Sequence, residues 1–434
     1  MKWFLYDLLF LAVFPLLLPG FLIRMCRRGG YRARMGDRFA VYPAGLFGDR
    51  PLYRRHGLAA RPPRDAFVWI HAVSVGEVQV AGQLMREWRA AEQDVRFCFS
   101  TTSSTGWKMA EREVTARDVL IYNPLDFPNF VKSALYTVRP RAVVLTESEI
   151  WPCFIRQVRR MGVPLFLINA RVSDRSAPRY RLARWWFRDV LGAFTRIFAQ
   201  SDLDRDRLLA AGAPVSRTEV TGSFKFDVAH RNPAKETELR AWVGEGRVLL
   251  GGSTWPGEDA MLLAAFAHLL ADHPDLKLVI APRHFEKADA VEQNIRAAGF
   301  ACVRRSRNDP RPAEGARAVF LADTTGELMG LYGIAAVTFV GKSLCAHGSQ
   351  NMIEPCLCGC PTVVGPYTEN FRPVMSDLLA AEAIVQVADA AGVERELGRL
   401  LRDDGGLGRR AEQAVARRCG VVARCVREIR EALR

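Results

Sequence analysis

The feature that most constrains this chain is a rhythm of short apolar, β-rich runs, each ending in a polar cluster and followed by a segment of helical periodicity. In the first half, Val68 to Ile70 leads into His71-Ala72-Val73-Ser74-Val75-Gly76-Glu77, Val95 to Phe99 into Ser100 to Gly106, and Ala142 to Leu145 into Thr146 to Pro152. Leu165 to Ile168 leads into Asn169 to Ser173, and Arg196 to Ala199 follows. From Asp227 the pattern starts again. Arg247 to Leu250 precedes Gly251-Gly252-Ser253-Thr254, and Leu276 to Ile280 precedes Ala281-Pro282-Arg283-His284. Ala318 to Leu321 precedes Asp323 to Leu328, Ala336 to Val340 precedes Gly341-Lys342-Ser343-Leu344, and a last run covers Thr362 to Val364. The alternation predicts an α/β chain with two doubly wound, Rossmann-like parallel sheets, whose ligands sit beyond the carboxyl ends of the strands. No Gly-x-Gly-x-x-Gly opens either half, which counts against a dinucleotide site.

The first of these strand ends carries the sharpest chemistry. Gly76 is expected to let the backbone turn, and Val78, Ala81, Leu84, Met85 and Trp88 continue at helical spacing, so Glu77 opens a helix. A carboxylate there is held ionised by the helix dipole and free backbone N–H groups, which suits a general base. The same position equally suits a glutamate that only satisfies the helix terminus. In the second half, His347-Gly348-Ser349-Gln350-Asn351-Met352-Ile353-Glu354-Pro355 sets a small loop before a short helix, where backbone N–H groups can cradle a phosphate. Asn351 and Glu354 share a face, Arg283 can neutralise the same anion, and a carboxylate such as Glu354 suits ribose hydroxyls. The alternative is a helix start capped by Ser349 or Asn351.

With 434 residues the chain has room for two or three domains, and 49% hydrophobic with 25% charged residues excludes a disordered protein. A net charge of +14 points to a polyanionic partner. Trp3 to Ile23 is an apolar run long enough to cross a bilayer, interrupted by Asp7, Pro15, Pro19 and Gly20. Arg24, Arg27, Arg28, Arg32, Arg34 and Arg38 follow it, against Lys2 before it, which orients the remainder toward the cytoplasm. A buried or interfacial amphipathic helix is the competing reading. From Arg24 to Arg64 there are eleven arginines and two acids, a composition suited to lipid headgroups or to phosphates on a lipid substrate.

Arg175 to Arg188, with Tyr180, Trp185, Trp186 and Phe187, reads as a helix with an aromatic core face and a basic solvent face, or as a lipid-clasping surface. The densest cysteine cluster, Cys356-Leu357-Cys358-Gly359-Cys360, lacks zinc-site spacing, and a cytoplasmic setting disfavours disulfides. No nucleic-acid motif accompanies the basic charge.

Taken in order, these motifs resemble the 3-deoxy-D-manno-octulosonic acid (Kdo) transferases of lipopolysaccharide synthesis. The resemblance spans nearly the whole chain: His71 to Glu77, Glu147 to Pro152, Asn169 to Ser173, Gly222 to Asp227, Gly252 to Thr254, Pro282 to His284, Asp323 to Leu328, Asn351 to Pro355, and Gly359 to Pro366 with Asn370-Phe371. It implies the GT-B fold, two Rossmann-like domains facing across a cleft, with an N-terminal membrane anchor helix. It also implies transfer of Kdo from CMP-Kdo to the lipid A precursor (lipid IVA), with no catalytic metal and no cofactor beyond the donor substrate.

The resemblance makes Glu77 the catalytic base, with Glu147 or Glu149 also required. It places CMP on Arg283, His284, Gly326, Glu327, Asn351 and Glu354, and we add Ser253 to that set. Acceptor contacts are expected from Arg27, Arg28, Arg32, Arg34, Ser74 and Arg171. The chain departs from the family's usual pattern at Trp255, Thr325 and Gly348-Ser349-Gln350.

The expected organisation is an anchor over 1–24, a basic segment over 25–64, an acceptor domain over 65–226, a nucleotide-sugar domain over 227–404 and a C-terminal helix over 405–434 that packs on the first domain. The expected location is the inner membrane, with a single anchor and cytoplasmic catalytic domains. The alternatives are another membrane-anchored GT-B transferase with a lipid acceptor, or an inactive, membrane-tethered binder of anionic lipid.

Overall fold

The computed structural model describes residues 3, 6, 20, 32–47, 66–227, 231–310 and 317–434. They form two compact units, one running through Phe224 and resuming at Gly420–Arg434, the other spanning Lys225–Cys419.

The first unit is built on seven strands: β1 (Val68–His71), β2 (Phe97–Thr101), β3 (Val119–Tyr122), β4 (Ala142–Thr146), β5 (Leu165–Ala170), β6 (Arg196–Ala199) and β7 (Thr218–Val220). They lie in the order β3-β2-β1-β4-β5-β6-β7, and every pairing is parallel. Side chains alternate across such a sheet, so Trp69 of β1 enters one core with Phe154, while Val68 and Ile70 enter the other with Leu84 and Trp88. The terminal helix Val421–Ala432 belongs to this second core. Its Val421, Val422, Cys425, Val426 and Ile429 form one helical stripe, each Val or Ile worth about 1.5–3 kcal/mol when fully buried.

The second unit repeats the plan with β8 (Val248–Thr254), β9 (Lys277–Pro282), β10 (Ala301–Arg304), β11 (Ala318–Leu321), β12 (Val337–Val340), β13 (Thr362–Val364) and β14 (Val385–Gln386). Their order is β10-β11-β9-β8-β12-β13-β14, again parallel. The unit continues past residue 404 through the helix Leu407–Ala416, so 405–434 holds two helices in different units instead of one. In each sheet the chain winds outward on one side and then crosses to the other. The crossing, where strand order reverses, falls between β1 and β4 in the first unit and between β8 and β12 in the second.

Part of the basic segment has a structural role. Residues Arg32–Phe39 cover edge strand β3, where Asp37 accepts the Tyr122 N–H at 3.1 Å. The Arg38 guanidinium donates to the Thr102 carbonyl at 2.7 Å and lies 4.5 Å over the Tyr122 ring. Covering an exposed strand edge in this way blocks edge-to-edge pairing. Among the described residues no helix is long and apolar enough to cross a membrane. The anchor expected over 1–24 lies outside the described residues except for Trp3, Tyr6 and Gly20. Trp3 and Tyr6 pack on Trp186, at ring separations of 4.6 and 5.2 Å. The stretch 175–188 forms two short helices, Ala177–Leu182 and Arg184–Leu191; Trp186 and Phe187 turn inward while Leu182 and Trp185 are exposed.

Candidate active site

At the β1/β4 crossing the chain leaves β1 through Ala72-Val73-Ser74 and enters the helix Val75–Ala91. Ser74 is the N-cap: its Oγ accepts the Glu77 N–H at 3.3 Å and donates back to Glu77 Oε1 at 3.0 Å. Glu77 Oε2 accepts the Val73 N–H at 2.8 Å, so Ser74 and Glu77 form a variant of the capping box in which the carboxylate takes the N–H of the residue before the cap. Gly76 does not make the turn. It lies inside the helix with open space around it, and the extended Ser74 turns the chain. Glu77 does satisfy the helix terminus, and a third donor reaches it from across the crossing. Thr146 Oγ1, at the end of β4, lies 3.2 Å from Glu77 Oε2 and 3.0 Å from the His71 carbonyl.

Two more carboxylates share this end of the sheet. Glu147 stands at φ +49°, where Oε1 accepts from Asn169 Nδ2 at 3.3 Å and Oε2 lies 3.5 Å from Arg171 Nε. A non-glycine residue in the left-handed region is uncommon, and such conformations cluster at functional sites. Glu149 accepts the Trp151 indole N–H at 2.8 Å. Burial first, then the charges of Glu77 and Glu147, push its carboxyl up to about 7. His71 Nε2 lies 3.8 Å from it. The imidazole is buried, with Nδ1 2.9 Å from the Ser100 hydroxyl and 3.1 Å from the Ser100 carbonyl, and Nε2 has no hydrogen-bond partner among the described residues. Burial pulls the His71 pKa down to about 4, leaving the ring neutral at pH 7. His71 and Thr146 appear in the sequence only as members of strand-end clusters; their roles depend on which strand adjoins which.

The β8/β12 crossing is made of small residues. Gly341, just past β12, donates to the Gly252 carbonyl at 2.9 Å, and a Cβ there would collide with the Ser253 carbonyl. Ser253 itself stands at φ +52°. Beyond β9, Arg283 is exposed and donates its N–H to the Thr254 carbonyl at 3.0 Å. Its charge acts on Glu354, whose carboxyl is nonetheless raised by burial. Asn351 Nδ2 donates to Glu354 Oε1 at 3.0 Å, and Asn351 Oδ1 accepts the Ile353 N–H at 3.0 Å. The structure thus brings Arg283, Asn351 and Glu354 together. His284 packs its edge on Trp255 at 4.9 Å and bonds Glu286 at 3.0 Å.

Two expected donor contacts have other surroundings. Gly326 is exposed in the loop after β11, and the Glu327 carboxylate is held by Arg305, Thr324 and Lys235 in an ion-pair network. On the acceptor side, Arg34 is bound to Asp37 at 3.0–3.1 Å, and Arg171 is exposed beside Glu147. Arg27 and Arg28 lie outside the described residues, as does the side chain of Arg32.

Two parallel, doubly wound units, each with its polar residues gathered at the crossing of strand order, are the architecture of the GT-B class. A family model described as 3-deoxy-D-manno-octulosonic-acid transferase matches residues 34–228. A 3-deoxy-D-manno-octulosonic acid transferase from Haemophilus influenzae is 31% identical over 402 residues, covering 92% of this chain and 90% of that protein. One from Bordetella pertussis is 36% identical over 373 residues, covering 82% of this chain and 83% of that protein. The chain belongs to the Kdo transferase family, and it is a glycosyltransferase that moves Kdo. Among solved structures, a UDP-GlcNAc 2-epimerase from Neisseria meningitidis shares the fold, with TM-score 0.58 at 15% identity over 84% of this chain and 99% of that one.

Proposed function

We propose that this enzyme transfers Kdo from CMP-Kdo to a hydroxyl of the lipid A precursor, with inversion, at the inner membrane. The observation that carries the reading is the acid cluster at the β1/β4 crossing, where Glu77 stands at a strand end with Glu147 and Glu149 beside it. CMP is already an activated leaving group, so the protein has to orient the acceptor, take its proton and stabilise the departing phosphate.

In this reading Glu77 accepts the hydroxyl proton as the oxygen attacks the anomeric carbon of Kdo and the bond to CMP breaks. Arg283 meets the phosphate charge, and Glu354, aligned by Asn351, holds the ribose hydroxyls. Ser253, His284, Gly326 and Glu327 line the donor region, while Ser74 and Arg171 border the acceptor. Residues 1–24 anchor the chain with its catalytic units on the cytoplasmic side, and Arg27, Arg28 and Arg32 meet the phosphates of the acceptor. Arg34 has less to offer there, being paired with Asp37. The reading calls for no metal or cofactor. Membership of an enzyme family and the acid cluster together favour it over an inactive lipid binder.

The test is to incubate purified full-length protein with CMP-Kdo and a bisphosphorylated lipid A precursor and to weigh the product by mass spectrometry. An acceptor heavier by one or more Kdo units is expected. An unchanged acceptor mass, with a known Kdo transferase active in the same mixture, would refute the assignment.

A further inference from the structure

Lys342 stands at the β8/β12 crossing with φ +62°, a conformation that glycine adopts freely and lysine only at a cost. The surroundings hold it there. Its backbone N–H donates to the fully buried carboxylate of Glu258 at 2.8 Å, and that carboxylate also accepts from Trp255 at 2.7 Å and Leu344 at 3.3 Å. On the other side, the Gln350 N–H donates to the Gly341 carbonyl at 3.1 Å, pinning the Gly348–Gln350 loop against the same turn.

This framework holds the backbone that carries a charge. The Lys342 ammonium lies 5.2 Å from the centroid of the Trp255 ring, and among the described residues no carboxylate pairs with it. One residue from the Gln350 anchor, the Ser349 hydroxyl is 4% exposed and has no hydrogen-bond partner among the described residues. A half-buried lysine whose ammonium has no counter-charge among the described residues and an unpartnered buried hydroxyl, at the point of a doubly wound sheet where ligands collect, have the chemistry of an oxyanion subsite.

We propose that Lys342 binds an oxyanion of the donor, with Ser349 Oγ donating to the same group. The proposal rests on the reading of the donor as CMP-Kdo, which carries two anions, the nucleotide phosphate and the carboxylate of the sugar acid. A lysine ammonium is a point charge that suits either.

The test titrates CMP and cytidine calorimetrically into wild type, Lys342→Met, Lys342→Arg and Lys342→Gly, and measures KM for CMP-Kdo. If Lys342 meets the phosphate, Lys342→Met raises the Kd of CMP at least about tenfold, the low end for a charge-assisted bond, and leaves cytidine unchanged. If it meets the sugar carboxylate, CMP binds as before and KM for CMP-Kdo rises by a similar factor. Either result supports the subsite, and Lys342→Arg should recover most of the loss. Lys342→Gly relaxes the backbone, so it should melt no lower than wild type while binding as weakly as the methionine variant. Folded Met and Gly variants with wild-type CMP affinity and wild-type KM would overturn the proposal. A wild type that binds neither CMP nor CMP-Kdo overturns the donor reading itself, a result visible before any variant is made.

Discussion

Glu77 and Glu258 occupy the same place in the two units. Each lies in the first turn of the helix that follows the unit's first strand in the chain, and each reaches across the strand-order crossing. Glu77 accepts from Thr146 at the end of β4; Glu258 accepts from Lys342 and Leu344 after β12. The difference lies in what else each can do. The Glu258 carboxylate is sealed at 0% exposure with backbone N–H groups as its partners, so it fixes two loops and meets no substrate. Glu77 is 7% exposed, two of its donors are side-chain hydroxyls, and Glu149 is close enough for their charges to interact. One topological position thus yields a loop clamp in one sheet and a candidate base in the other, and burial decides between them.

The largest expected effect breaks the comparison on turnover. Glu77→Gln should lower kcat by roughly 10²–10⁴ with CMP affinity unchanged, since a lost base acts on the chemical step alone. Turnover within threefold of wild type would make Glu77 a clamp like its counterpart. Glu258→Gln should act on stability, because the amide turns an N–H group toward backbone donors. A loss of about 2–3 kcal/mol in the urea unfolding of the second unit is expected, close to one or two charge-assisted bonds. An unfolding midpoint equal to wild type would show that the loops hold themselves.

The smallest effect concerns the acid cluster and reverses the usual sign. Glu149 titrates at about 7 in the fold against 4.5 for an ordinary glutamate, so between these values the native state binds the extra proton. The contribution of Glu149 to stability should therefore fall as pH rises from 4.5 through 7, and the comparison with a variant isolates it from the opposite contribution of His71. Glu149→Gln, which mimics the protonated acid, should be more stable than wild type at pH 8 by roughly 1–2 kcal/mol, with the gain gone below pH 4.5. A variant less stable at pH 8 would mean that the ionised carboxylate is the better-satisfied form.

Much of this was legible from local pattern. The ten runs read as strands lie on ten of the fourteen observed, and the four passed over, β3, β7, β10 and β14, are the four sheet edges. An edge strand has one neighbour and tolerates polar or exposed residues, as in Thr-Glu-Val of β7 and the exposed Ala301 and Gln386. β3, Val-Leu-Ile-Tyr, is apolar enough to have been read. Ser74 and Glu77, three residues apart, announce their capping box directly, and the polar clusters mark the carboxyl ends where the sites lie.

What the sequence by itself determined, then, is the ten interior strands, the helical segments that alternate with them and the polar residues left at their ends, because side-chain period, turn chemistry and capping act over a few residues. Only the tertiary structure decided which ends meet. Thr146 is 69 residues from Glu77 and Lys342 is 84 from Glu258, and each pair is joined because the sheet reverses its strand order there. It also decided that Arg34 serves Asp37, that Glu327 is held by Arg305, and that a lysine stands at a backbone angle suited to glycine. Strand order follows from crossovers and from the burial of both sheet faces, which are properties of the assembled layers and of no single segment.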